Sequence, residues 1–354
     1  MKTKCFFFAI LAIIASSYGE PAMNNSSDAI TFNGRWLHAD GKHCTSAPAA
    51  TLQFESEAKG FVFELEGEAR YRFDIDGKPA TYFEITEKAT QKLAGATDGQ
   101  KHLYRLIKIS ESNPGNICIP KISIEGSGNF YPPSRKSNRR IEFIGDSFTV
   151  GYGNEGTNPE DGTPFSKTDA SQGFAFLLAD GFKADFQINA VSGRGLVRNY
   201  ANIVPDWTLE KLYELTMPGV AEQDPKTPRW NFEEFHPQVI VIFVGINDFQ
   251  GEPPYANEKD FKAAYAKLLD KLRKAHPGVK FLLLSTKVWP NDNLTPIVKS
   301  IYDAQVAAGK TDLEFQIFYS ENTALHGHPN LMSHQEMTRT LRPIIGRLGK
   351  WLSR

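Results

Sequence analysis

Long hydrophobic runs are scarce in this 354-residue sequence; the longest apolar stretch, Cys5 to Ala15, is about 11 residues. A membrane-crossing helix needs roughly 20, so no span is expected. Lys2 and Lys4 precede the stretch, and the small residues Ser16, Ser17 and Gly19 follow it. That order reads as a secretory signal over residues 1–19, and Cys5, ahead of the apolar stretch, is not placed to be a lipoprotein cysteine. Cysteine is scarce too, three in all, which excludes a disulfide-rich scaffold. Cys44 and Cys118 outlast the leader; they suit one disulfide in an oxidising compartment or two buried thiols equally well. Two thiols without a histidine cluster exclude a structural zinc site. Charge of either sign is not in excess: 40 Lys and Arg face 41 Asp and Glu, and losing Lys2 and Lys4 takes the net charge from −1 to −3. A mildly acidic chain without a basic patch is a poor partner for nucleic acid, whereas a neutral polymer is indifferent to that charge. Fixed-period repeats and low-complexity tracts are absent, which excludes solenoids and disordered scaffolds.

What is present divides into two periods. From about Ile30 to Gly128 apolar residues alternate: Phe61, Phe63 and Leu65, then Ala69, Tyr71, Phe73 and Ile75 with Asp76-Gly77 as a turn. Leu103–Ile109 and Ile119–Ile124 continue the pattern, which predicts an all-β sandwich of jelly-roll type over 28–135. The polar stretch Tyr131-Pro132-Pro133 to Asn138 marks a boundary. Beyond it lie continuous apolar runs at Ile141–Ile144, Val239–Val244 and Phe281–Leu284, with a weaker one at Phe186–Val191, as in strands buried on both faces. Helical stripes alternate with them, at Phe261, Ala264, Tyr265, Leu268 and Leu272 and from Leu341 to Leu352; Thr295-Pro296 reads as a helix start. The second unit, 139–354, is therefore expected to be a doubly wound α/β domain. Such sheets bind ligands beyond the carboxyl ends of their strands.

Four polar clusters fall on that rim or in the loop before the last helix: Gly145-Asp146-Ser147, Ser192-Gly193-Arg194-Gly195, Gly245-Ile246-Asn247-Asp248 and His326-Gly327-His328-Pro329-Asn330. Each alone is a common turn. Together they supply the nucleophile, base and hydrogen-bond donors that acyl transfer requires.

The ordered set resembles the SGNH (GDSL-type) hydrolases. The longer strings Ile141 to Ser147, Gly151-Tyr152-Gly153-Asn154-Glu155-Gly156 and Ser192 to Leu196, with a β domain placed ahead of the hydrolase, resemble carbohydrate esterase family 2. The resemblance runs from roughly residue 30 to the end. It implies a secreted esterase that removes acetyl groups from xylan- or glucomannan-type polysaccharides, with no cofactor and no metal. Ser147 would be the nucleophile, His328 the base, and the Ser147 and Gly193 N–H groups with the Asn247 amide the oxyanion donors. His328 is preferred over His326 because Pro329-Asn330 follow it as in the family motif. A metal bound by His326, His328 and His334 is the remaining reading, and no suitably spaced carboxylate joins them. The chain departs from the family in one respect: no acid lies between Asn322 and His328, where SGNH enzymes usually carry an Asp two or three residues before the base. A backbone carbonyl is then expected to orient His328. Trp289, on the rim after the fourth strand, is the candidate sugar platform, and Trp207, Tyr213 and Trp230 lie in an insert from Ala201 to Phe235. The β domain would buttress the hydrolase or bind polysaccharide. A monomer is expected. Two alternatives stand beside this reading: an esterase or lipase on non-carbohydrate esters, and a catalytically degenerate carbohydrate-binding protein.

Overall fold

The alternating segment folds into ten strands, most of them with one apolar face to bury. They are β1 (Thr31–Asn33), β2 (Leu37–Ala39), β3 (Lys42–Thr45), β4 (Thr51–Ser56), β5 (Gly60–Gly67), β6 (Ala69–Ile75), β7 (Lys78–Ile85), β8 (Ala89–Ala94), β9 (His102–Lys108) and β10 (Ile117–Ile124). The computed structural model describes residues 29–112, 115–222, 224 and 226–352; the expected leader over 1–19 lies outside them. Two antiparallel sheets result, in the orders β1-β4-β9-β6-β7 and β2-β3-β10-β5-β8. Phe54, Phe61, Phe63, Phe73 and Tyr104 fill the space between them, with the Phe61 and Tyr104 rings 4.6 Å apart. Cys44 and Cys118 face each other across β3 and β10 and form a disulfide.

The opposite face of β6 is polar but not wet. Arg72 and Asp74 are buried, with Arg72 Nε and Nη2 each 2.7 Å from an Asp74 oxygen. Arg105 Nη2 donates to the same carboxylate, and Arg72 Nη1 donates to Ser171 Oγ at 2.9 Å. Arginine and aspartate alternation here marks a contact between the two halves of the molecule, each charge matched as burial demands.

The second half is a parallel sheet: β11 (Arg140–Gly145), β12 (Asp185–Ala190), β13 (Val239–Phe243), β14 (Lys280–Ser285) and β15 (Leu313–Ile317), in the order β12-β11-β13-β14-β15. Its helices are α1 (Ser147–Val150), α2 (Pro164–Lys167), α3 (Phe174–Phe182), α4 (Leu209–Leu212), α5 (Ile246–Phe249), α6 (Glu258–Ala275), α7 (Leu294–Ala307) and α8 (Leu331–Leu348). The order reverses between β11 and β13, which makes their carboxyl ends the switch point where such sheets hold ligands. Helix α6 buries the predicted stripe, with Ala264 at its part-buried margin, and is capped by Asn257, whose side chain accepts from the Lys259 and Asp260 N–H groups. Helix α7 begins earlier than Thr295-Pro296 suggests. Asn293 is its N-cap, and Asp292 Oδ1 accepts from Thr295 N at 3.2 Å, so the Thr-Pro pair falls inside the first turn. No N–H is required of Pro296 there.

The two halves share a core, since Ala49, Ile107 and Ile109 pack with the parallel-sheet residues. Arg35, fully buried, reaches from the sandwich to the Tyr213 carbonyl at 2.6 Å, the Leu215 carbonyl at 3.0 Å and Glu142 at 3.4 Å. The rings of Tyr213 and Trp230 stack against its guanidinium. These two aromatics of the insert therefore serve the interface, while Trp207 is part-buried on a small cluster with Leu212 and Leu215. Among the described residues no helix is long and apolar enough to cross a membrane.

Candidate active site

Ser147 leaves β11 through Gly145 and Asp146. A Cβ at Gly145 would stand 2.0 Å from Thr149 Oγ1, so only glycine allows the strand to turn so tightly into α1. The Asp146 side chain caps that turn, accepting from Phe148 N at 3.1 Å. Far along the chain, a left-handed His326 and Gly327 wind a short turn that delivers His328. His328 Nε2 lies 2.9 Å from Ser147 Oγ, and His328 Nδ1 lies 3.0 Å from the Leu325 carbonyl. A carbonyl only accepts, so Nδ1 carries the ring proton and Nε2 is left to accept from the serine hydroxyl. The imidazole faces the cavity and is only part-buried by its exposure. The protein around it nonetheless excludes enough water to push its pKa down to about 4; the Leu325 carbonyl works against that shift and the nearby His326 adds to it. The ring is thus neutral near neutral pH.

Gly193 sits in the turn after β12 with φ +75°, and an added Cβ would meet only Ile203 Cδ1 at 3.6 Å. Asn247 lies in α5 at the end of β13. Its Nδ2 donates to Asp146 Oδ2 at 3.1 Å and to the Arg194 carbonyl at 3.0 Å. The amide is therefore held firmly, and an incoming oxyanion would have to share or displace one of these acceptors. Burial pushes Asp146 up to about 8 and Asp248 up to about 6. Burial thus works against a negative charge on Asp146 beside the serine. Asp248 accepts from the Leu196, Val197 and Arg198 N–H groups at 2.8 to 3.0 Å, and so ties the turn carrying Gly193 to the turn carrying Asn247.

Ser147, Gly193, Asn247 and His328 line one cavity of about 640 Å³. Trp289 is not on its wall; it is 61% exposed on the loop after β14, with the Lys287 ammonium 4.7 Å over its ring. His334 is buried, with its Nδ1 accepting from Phe174 N at 3.2 Å, and among the described residues no three His, Cys, Asp or Glu side chains are grouped to hold a metal ion, which argues against the three-histidine reading. His326 instead meets the Tyr152 hydroxyl at 2.8 Å through Nδ1. Among the wall residues that sequence reasoning missed are Glu111, Tyr152, Phe165 and Tyr200. Tyr152 lies within the Gly151 to Gly156 string and was the one with a signal. Glu111 comes from the sandwich, and no spacing connects it to the serine. A cavity of similar size, about 660 Å³ and lined by Trp207, Lys211 and Lys271 among others, holds no paired nucleophile and base.

A serine and a neutral histidine within hydrogen-bond reach at the switch point of a parallel sheet define a hydrolase of the acyl-transfer class. Residues 143–311 match the GDSL-like Lipase/Acylhydrolase family. An acetylxylan esterase / glucomannan deacetylase of Cellvibrio japonicus is 30% identical over 331 residues, covering 86% of this chain and 89% of that protein. The cellulase/esterase CelE of Acetivibrio thermocellus is 28% identical over 326 residues; the match takes in 88% of this chain but only 38% of CelE. Among solved structures, a family two carbohydrate esterase from Clostridium thermocellum in complex with cellohexaose superposes with a TM-score of 0.84 at 26% identity, over 91% of this chain and 100% of that one. The chain belongs to the GDSL-like acylhydrolases, among the family 2 carbohydrate esterases, and is a carboxylic ester hydrolase.

Proposed function

We propose that this enzyme is a secreted serine esterase that removes O-acetyl groups from plant cell-wall polysaccharides such as xylan and glucomannan. The observation that carries the mechanism is the relay from Ser147 Oγ to His328 Nε2 at 2.9 Å and from Nδ1 to the Leu325 carbonyl at 3.0 Å. His328 takes the hydroxyl proton as Ser147 Oγ attacks the acetyl carbonyl. The resulting oxyanion turns toward the Ser147 and Gly193 N–H groups and the Asn247 amide. Collapse expels the sugar alkoxide, which takes the proton from His328 and leaves acetyl-Ser147. Water then attacks the acyl group and gives its proton to His328. Acetate departs as that proton returns to Ser147. No metal or cofactor enters the cycle.

The polysaccharide reading is supported by the names of the relatives. Trp289, exposed on the rim beyond β14, is the proposed sugar platform, since an aromatic face suits the apolar face of a pyranose. We read residues 1–19 as the leader, 28–135 as the sandwich domain and 139–354 as the hydrolase domain, in a monomer. The sandwich is read as a jelly roll. From β3 to β10 its sheets run β3-β10-β5-β8 and β4-β9-β6-β7, the 1-8-3-6 and 2-7-4-5 orders of that fold.

The test compares acetate release from acetylated xylan and acetylated glucomannan with hydrolysis of p-nitrophenyl acetate and p-nitrophenyl dodecanoate. Turnover of both polysaccharides and of the acetate ester, with little of the dodecanoate, is the expected result. Preference for the dodecanoate would make the enzyme a lipase, and saccharide binding without release would make it a binding protein.

A further inference from the structure

We propose that Glu111, supplied by the sandwich, is a specificity-determining residue of the active site. Its carboxyl group accepts a hydrogen bond from a free hydroxyl of the acetylated sugar. The inference rests on the polysaccharide-esterase reading and adds the group that recognises the neutral, hydroxylated part of the substrate.

Glu111 lies on a strap that leaves β9 and lies against the hydrolase half. Ala170 N donates to the Ile109 carbonyl at 2.8 Å, and Ser112 Oγ donates to the Ala190 carbonyl at 2.6 Å. Lys108 Nζ donates to the Ser110 carbonyl at 3.1 Å and also to the Glu111 carbonyl. At Gly219 a Cβ would stand 1.7 Å from the Ser112 carbonyl oxygen, so the strap is closely overlaid there as well. A side chain on so fixed a backbone is held in place before substrate arrives.

The carboxyl group is buried, yet it is on the wall of the cavity that holds Ser147 and His328. Both of its oxygens lie close to Ser192 Oγ, at 2.9 and 2.8 Å, but that hydroxyl has one proton to give. The Ser112 N–H supplies a second hydrogen bond. A carboxylate offers about four lone-pair positions, so acceptor capacity is left over. Among the described residues no cation lies within ion-pair distance; Lys108, the nearest source of charge, spends its ammonium on carbonyls. Burial pushes Glu111 up to about 7 and Lys108 down to about 7. The Tyr152 phenol, across the same cavity, is pushed up to about 12, by burial first and then by the Glu111 charge.

A buried acceptor with unfilled capacity is costly unless a donor reaches it. The donors that the substrate itself brings into this cavity are sugar hydroxyls. A neutral glycosyl unit satisfies the group, whereas a uronate placed against it would be repelled.

The experiment measures kcat/KM on an acetylated xylooligosaccharide and on p-nitrophenyl acetate, which has no sugar hydroxyl, for wild type and Glu111→Gln. Inhibition of the p-nitrophenyl acetate reaction by unacetylated xylotriose is measured beside it. The ratio of the two kcat/KM values is expected to fall about 10- to 100-fold, as for loss of a hydrogen bond to a charged group, with a parallel weakening of xylotriose inhibition. Glu111→Asp, which keeps the charge but withdraws it, gives the same shift of the ratio and serves if the amide variant does not fold. Equal losses on both substrates would overturn the proposal, because a carboxyl that acts only through Ser192 and the Gly193 turn affects every acyl group alike. Should the wild type release no acetate from any saccharide while hydrolysing p-nitrophenyl acetate, the parent reading falls and this one with it.

Discussion

The His328 ring is oriented by a backbone carbonyl, where SGNH enzymes usually carry an aspartate. The Leu325 oxygen fixes the tautomer but brings no full charge to favour the imidazolium, and burial dominates, taking the pKa down to about 4. A lowered pKa keeps the neutral, active base present at every pH above that value and removes it only below. The acid limb of kcat/KM on an acetyl ester is therefore expected near pH 4; a limb near 6.5 would show that the ring is solvated. Asn247→Ala is expected to lower kcat by about 10²–10³-fold if the amide leaves its internal acceptors for the oxyanion. A loss below about threefold would mean that it stays with Asp146 and the Arg194 carbonyl. That Ser147 and His328 would meet was legible in the sequence because the family motif surrounds each with distinctive neighbours. Glu111 was not, because its place on the wall depends on how one half of the molecule lies on the other.

Among the elements, the turns after β12 and β13 matter most. Asp248 collects three backbone N–H groups from residues 196–198, and Arg198 Nη1 returns a bond to the Asn247 carbonyl at 2.9 Å. Asp248→Ala leaves those donors buried and unmet, at about 1–3 kcal/mol for each such group, so a loss of about 3 kcal/mol or more is expected in urea unfolding. An effect under about 1 kcal/mol would show that water replaces the carboxylate. The continuous apolar runs announced β11, β13 and β14 because strands buried on both faces have no polar side to hide the signal. The start of α7 was misplaced because Thr-Pro imitates a cap, while the N-cap position is Asn293 and the carboxylate that accepts from the first turn is that of Asp292, just ahead of it.

On the scale of the whole molecule the two halves are joined by buried charge. Arg35 places its guanidinium against Glu142, two carbonyls and two aromatic rings, all from the other half. Arg35→Ala would leave Glu142 buried without its counter-charge, and a destabilisation of about 3–5 kcal/mol is expected by chemical denaturation. A change under about 1 kcal/mol would mean that Arg35 adds little to the other contacts between the halves. This joint was the least legible feature. Arg72 and Asp74 alternate with apolar residues as a solvated strand face does, and only the tertiary structure shows that the face is covered.

The most direct test of the account is acetate release from acetylated xylan and acetylated glucomannan by wild type, Ser147→Ala and His328→Ala. Release by wild type that falls to near background in both variants is the predicted result. Release that persists in Ser147→Ala would contradict the central claim of a serine nucleophile, and release that persists in His328→Ala would move the base elsewhere.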